Sequence, residues 1–186
     1  VGSAHFNGTQ DWQKVLDSLE NYETTYGTAP DDRKNVAMDY VTRALIQLED
    51  LDSALDAFRE MQTAFPDSEI TARAAQTIYV QLSQSYKETG EEATLRLMAG
   101  LLELSNSKGN PDYKTLRNES RHWADLGEYD KAEAVLVKIV DRFTGHPQRG
   151  PDVQKRILPD LGHIYLAKKD VQRAKATLDP LVLAPD

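Results

Sequence analysis

Lys114, Arg117 and Arg121 follow one another at intervals of three and four residues, a spacing that puts their side chains on one face of an α-helix. Such a face suits anions. A guanidinium is planar and always charged, and it holds a carboxylate through two parallel hydrogen bonds. Arg156 and His163 occupy related positions further along the chain, Arg43 and Gln47 related positions before it, and Ile78, Leu82 and Tyr86 an apolar stretch between. A groove lined by both kinds of residue suits an extended or helical peptide with acidic and hydrophobic side chains. The competing reading is a wetted helix face balanced by Glu119, Asp125 and Asp160.

Other reactive constellations are weak. The chain has no cysteine, which excludes disulfides, thiolate metal sites and cysteine nucleophiles. The four histidines His5, His122, His146 and His163 lack metal-ligand spacing, and no HExxH pattern occurs. His122 and His163 could face one groove, yet surface histidines are the better reading. Asp50, Asp52, Asp56, Glu91 and Glu92 stand where solvated helix starts place carboxylates. Asn7 and Asn118 match the glycosylation acceptor pattern, the second inside a predicted helix, where chance explains it better. The expectation is a protein without catalytic residues, metal or cofactor.

Composition narrows the partners. Of 186 residues, 28% are charged and 40% hydrophobic, and the net charge is −8. An acidic chain is a poor match for nucleic acid, whose binding depends on Lys and Arg neutralising phosphates. The charge is uneven: residues 1–108 carry 9 basic and 18 acidic side chains, residues 109–186 carry 13 and 12. An anionic partner should therefore favour the second half. No run approaches the roughly 18 apolar residues of a membrane span. The opening VGSAHFNGTQ reads as a trimmed or mature fragment, with GS as a cloning scar.

The elements that must carry the basic face come from a repeat. Val15, Ala54, Ala93 and Ala132 are spaced by 39 residues, and Ala174 follows after 42. The same shift relates Leu19, Phe58, Leu97, Leu136 and then Leu178, and also Tyr26, Phe65, Leu104 and Phe143. Recurrence in step at this period signals stacked helical units. In LDSALDAFREMQTAF the apolar residues fall at three-four spacing, and Pro66 with Asp67 or Ser68 ends that helix and caps the next. Helices are expected near 11–26, 31–48, 51–65, 69–88, 91–106, 111–126, 129–143, 152–168 and 170–183. The small residue is expected where two helices of a unit cross, since a short side chain lets the backbones approach. Lys138 is expected on the outer face. The unit around Ala93 departs, with Gly100 where others have Tyr22, Met61 and Ile139.

These positions resemble tetratricopeptide repeats. Leu158, Leu161, Gly162, Tyr165, Ala174, Leu178 and Pro185 are similar to the family's pattern, as are Leu116, Ser120, Trp123, Gly127, Tyr129 and Ala132. The resemblance implies an all-α fold, a right-handed α-α superhelix or solenoid of about nine helices. It would form one array over 1–186, with a half-unit at 11–26 and units near 31–66, 69–106, 111–144 and 152–185, cut from a longer protein. It also implies a groove lined by first helices and a function in binding a protein or peptide partner, with basic residues there to hold a carboxylate. The alternative is a structural spacer or self-assembly segment of a larger protein. The period of 39 exceeds the roughly 34 usual for this repeat. With AFPDSEITARAA, it is similar to bacterial envelope repeat proteins of the Tol-Pal coordinator and outer-membrane assembly lipoprotein kind. That likeness favours the periplasm or envelope over the cytoplasm, without membrane insertion.

Overall fold

The computed structural model describes residues 8, 10–20, 22, 32–108 and 111–182. All regular elements among the described residues are helical: α1 (Trp12–Leu19), α2 (Asp32–Gln47), α3 (Leu51–Ala64), α4 (Glu69–Thr89), α5 (Glu92–Ser107), α6 (Tyr113–Asp125), α7 (Tyr129–Phe143), α8 and α9 (Val171–Val182). α8 runs through Gly150–Asp152, a wide turn Val153–Ile157, and Leu158–Ala167. The expected continuation of the first helix to 26 lies outside the described residues, apart from residue 22. Contacts group the chain into two compact units, residues 1–89 with 107–109 and residues 90–106 with 110–186. The division falls inside the unit expected at 69–106. Among the described residues no helix is long and apolar enough to cross a membrane.

Each hairpin turns on one left-handed residue. Glu49, Gly127 and Lys169 have φ of 62°, 73° and 61°. Around each, two backbone bonds close the preceding helix: Glu49 and Asp50 donate to Ile46 and Leu45, Gly127 and Glu128 to Ala124 and Trp123, Lys169 and Asp170 to Leu166 and Tyr165. This is the pairing that satisfies the last carbonyls of a helix and reverses the chain. Asp50 and Asp170 then cap the following helix, accepting from the backbone of Ser53 and Arg173 at 3.1 and 3.0 Å.

Five residues beyond the left-handed one stands the small residue of the crossing. Ala54 and Ala132 are wholly buried and Ala174 nearly so. Their counterparts on the first helices are also short: Thr42, Ser120 and Gly162 are all buried. The Thr42 and Ser120 hydroxyls donate to the carbonyls of Met38 and Arg117, both at 2.9 Å, so neither burial leaves an unsatisfied polar group. At Gly162 a β-carbon would come within 2.5 Å of the Leu178 side chain. The crossing of α8 and α9 is thus closed by a leucine resting on bare backbone.

α5 corrects the constant spacing. Ala93 and Gly100 are exposed and Leu97 is half-buried, whereas Leu95, Met98, Ala99, Leu102 and Asn106 are buried. Gly90 is the left-handed residue here, with φ of 64°, and Leu95 stands five residues after it. The buried series Leu95, Ala99, Leu102, Asn106 therefore matches Ala54, Phe58, Met61, Phe65 and Ala132, Leu136, Ile139, Phe143. Large and small have changed places, and an amide stands where the other units carry phenylalanine.

That amide is compensated. Asn106 donates to Oε2 of buried Glu119 at 2.7 Å, and the Lys138 ammonium donates to the Asn106 carbonyl at 3.2 Å. Lys138 is exposed as expected, yet its ammonium is tied to α5, so it is no neutral reference position. Burial pushes the Glu119 carboxyl above its ordinary range. The Asn106 bond offsets part of that rise, Glu103 adds to it, and Lys138 opposes it.

In the first unit α2 packs on α1, α3 and α4, enclosing Val15, Ala44, Phe58, Met61, Ala75 and Ile78. In the second, α7 packs on α6 and α8, and α9 on α8. Its core joins Leu116, Trp123, Leu136, Ile139, Ile157 and Tyr165. Glu133 on α7 accepts from both Lys168 and Arg173, and Asp130 also pairs with Lys168. The α8–α9 turn is thereby tied to α7.

Three measurements follow from this packing. Ala132→Leu should lower stability in urea unfolding by about 1 to 3 kcal/mol, the usual cost of overpacking, while the same change at Ala134, on the exposed side of that helix, should alter it little. Lys169→Gly should raise stability by on the order of 1 kcal/mol, because glycine removes the left-handed strain; an unchanged midpoint would contradict the turn assignment. For Glu119, a carboxyl whose folded-state pKa is raised loses stability as pH climbs past the ordinary glutamate value of 4.5. Relative to wild type, Glu119→Gln should gain stability as pH rises above 4.5, and a difference that is flat with pH would refute the burial cost.

Candidate functional site

The expected site residues separate by environment. In the first unit, Arg43 holds Asp39 with two contacts, Nε to Oδ1 and a terminal nitrogen to Oδ2, both at 3.1 Å. Arg73 reaches the same carboxylate at 3.3 Å. Asp39 is only 2% exposed, so the arginines serve to neutralise a buried charge. Gln47 is exposed and lines a cleft of about 730 Å³ with Glu49, Gln81, Gln84, Ser85 and Glu88. Ile46 and Leu51 complete its lining, which contains no cation. Ile78 and Leu82 are buried, a correction to their expected place on a groove surface. They continue the stripe that begins at Thr71 and Ala75 on α4, and that stripe is spent on the core against α2 and α3. Tyr86 is half-buried.

The second unit keeps its cations available. Lys114 and Arg121 are exposed on α6, Arg117 is half-buried beside them, and Arg156 and His163 are exposed on α8. None of Lys114, Arg117, Arg121 and Arg156 has an ion-pair partner among the described residues. Elsewhere in this unit Arg96 pairs with Glu92 and Glu128, Lys131 with Glu103, and Arg173 with Asp170 and Glu133.

Arg121 and His163 meet across a cleft of about 210 Å³ between α6 and α8. Leu136 and Ile164 give it an apolar wall, and Ser120, Ala124, Asp125 and Asp160 complete it. Of the balancing carboxylates expected from the sequence, Asp125 and Asp160 share the cleft with Arg121 and His163 without an ion pair to either, while Glu119 is buried against Asn106 instead. His122, next to Arg121, has its pKa pushed below the ordinary range, chiefly by burial; Asp125 opposes this and Arg121 reinforces it. The imidazole therefore favours its neutral form and adds no charge near neutral pH. Among the described residues no group of three or more His, Cys, Asp or Glu is placed to hold a metal ion.

A second cluster lies at the start of α6, and the sequence reading missed two of its members. Tyr113 is 8% exposed, and its hydroxyl is buried without a hydrogen-bond partner among the described residues. Its ring packs edge-on against Phe143, with centroids 5.6 Å apart. Nε of Arg117, one turn along α6, is likewise buried and unpartnered. Arg149 lies over the Tyr113 ring with its guanidinium carbon 5.3 Å from the centroid, and it reaches Asp152 at 3.6 Å. Burial pushes the Tyr113 phenol up; Arg117 pulls it back, Asp152 adds to the rise, and Arg156 and Arg149 oppose it.

The loop that presents Arg149 is held from inside. Arg149 and Gly150 both donate to the His146 carbonyl, at 3.1 and 2.7 Å. A β-carbon on buried Gly150 would stand 2.5 Å from the Thr144 carbonyl oxygen. RGP is thus a close-packed link whose one long side chain is directed back to α6. The signal available in the sequence was Gly150 between Arg149 and Pro151, a glycine with a packing reason.

No family model matches this chain, and no curated protein does. Solved structures do. An ArsTM double mutant of MamA RS-1 is similar over 97% of this chain and 88% of its own, with a TM-score of 0.51 and 14% identity. A Podosopora anserina protein with nearly identical TPR-like repeats, described as of the kinesin light chain, is similar over 97% of this chain and 90% of its own, with a TM-score of 0.50 and 13% identity. With the repeated turn and the buried small residue five positions beyond it, these likenesses give the chain an all-helical, tetratricopeptide-like repeat fold.

Proposed function

We propose that the protein is an interaction module that binds a peptide segment of a protein partner on the second unit. Acidic residues of the peptide lie along Lys114, Arg121 and His163, and an apolar residue enters the cleft beside Leu136 and Ile164. The reading is carried by one observation: Lys114 and Arg121 face solvent along one side of α6 with no carboxylate partner among the described residues, whereas Arg96, Lys131, Lys168 and Arg173 of the same unit are paired. A cation that satisfies no internal charge is available to an external one, and an arginine offers a directional fork as well as charge. The small cleft fits one side chain rather than a whole ligand, so affinity would come from contacts spread along the helix. No reactive centre forms part of this account.

The test is fluorescence anisotropy with a panel of labelled acidic and neutral peptides. Acidic members should bind, and raised salt should weaken them because exposed charges are screened. Lys114→Glu combined with Arg121→Glu should weaken binding about tenfold or more, since each substitution replaces attraction by repulsion. Equal affinity in the double variant would remove this face from the account.

A further inference from the structure

We infer that Tyr113, Arg117, Arg149 and Arg156 form a seat for a doubly charged oxyanion of the phosphomonoester class. This site uses none of Lys114, Arg121 and His163, and it lies at the end of α6 far from Arg121, with Lys114 as its neighbour in the chain.

Two donors are present with nothing to donate to. The Tyr113 hydroxyl and Arg117 Nε are each buried without a partner among the described residues. A buried donor left unsatisfied costs free energy, and native structures rarely keep two side by side without an occupant or a use. They are adjacent because residues four apart share a helix face. Above them stand two long-armed cations from another element. Arg149 stacks on the Tyr113 ring and is half exposed, and Arg156 is exposed one turn beyond Asp152 on α8.

The charge balance selects the ligand. Three guanidinium groups act on the Tyr113 hydroxyl, and one carboxylate, Asp152, opposes them. The cations outnumber the carboxylate, an excess that favours a phosphomonoester dianion over a singly charged carboxylate. A phosphate also has three peripheral oxygens, enough to accept from the phenol and from more than one guanidinium, whereas a carboxylate has two. Arg149 has the reach to leave the ring and close over the anion, because its one ion pair among the described residues, to Asp152, is long at 3.6 Å. Such a pair at the surface contributes little.

Binding should be measured by calorimetry on the whole chain, with inorganic phosphate, phenyl phosphate, a phosphoserine peptide, diphenyl phosphate and acetate at constant ionic strength. The three monoester-type ligands should bind saturably, and acetate and the diester should not. Affinity for phosphate or phenyl phosphate equal to that of the phosphopeptide identifies a site for the free anion. Tighter phosphopeptide binding identifies a peptide-borne group. Tyr113→Phe keeps the ring packed against Phe143 and should weaken phenyl phosphate about tenfold, the loss of one charge-assisted hydrogen bond. Arg149→Ala, at an exposed position, should do the same, and Asp152→Asn should tighten binding. Arg121→Glu alone, two turns along α6, should bind phenyl phosphate with little change, which separates this site from the Arg121 end of the peptide face. Absence of saturable monoester binding to the wild type, or equal affinity in Tyr113→Phe and Arg149→Ala, would overturn the proposal.

Discussion

Each described hairpin depends on the fixed distance between a left-handed residue and the side chain that the second helix drives into the first. The backbone bonds around Glu49, Gly127 and Lys169 leave no freedom of register: once the residue has turned left-handed, the position five further on faces the partner helix. Where that position is alanine, as at 54, 132 and 174, the helices approach closely and the next apolar residues, Phe58, Leu136 or Leu178, fill the space around the crossing. In α5 the buried series also starts five residues after a left-handed residue, Gly90, while the sizes reverse, with Leu95 at the first position and Ala99 at the second. Register is therefore the constant quantity of the repeat, and residue volume adapts to it.

Much of this could be read from the chain. Helical periodicity, the break at Pro66 and the recurring alanines located the helices with small errors, because a one-sided apolar stripe has few alternatives. The slip at α5 was legible too, but in a different residue. Constant spacing pairs Gly90 with Tyr129, 39 residues on, whereas its left-handed backbone matches Gly127. Glycine is cheap in the left-handed region and Glu49 and Lys169 are not, so only two of the four turns advertise themselves by residue type. Ile78 and Leu82 were placed on a groove because a helical face can be recognised from sequence without knowing what covers it; α2 and α3 claim that face.

The basic face of α6 was found as one feature and is two. At 3.6 residues per turn, Lys114 and Arg121 lie within about 20° of one direction, whereas Arg117 is turned about 60° away from Lys114 and within about 40° of Tyr113. The spacing of three and four joins these residues on paper. Burial divides them, leaving Lys114 and Arg121 in water and drawing Arg117 towards the phenol. No property of Tyr113 in the sequence distinguishes it from any other aromatic of the core, since its solitary hydroxyl becomes visible only when every neighbouring acceptor has been assigned.

The same reasoning explains why α8 begins with a wide turn. Pro159 has no N–H, so the carbonyl four residues earlier, at Lys155, cannot be used in the regular way, and the proline ring crowds that carbonyl. The helix responds by opening: the Leu158 N–H reaches back to Val153, one residue further than an α-turn would. Val153 and Ile157 remain buried through this turn while Gln154, Lys155 and Arg156 all stay exposed. An extra residue is thus accommodated on the outer side without loss of the core contacts. With Gly150 locking the preceding loop against Thr144, the proline and the glycine set where Arg149 and Arg156 leave the backbone. Two residues without polar side chains therefore position the cations that act on Tyr113.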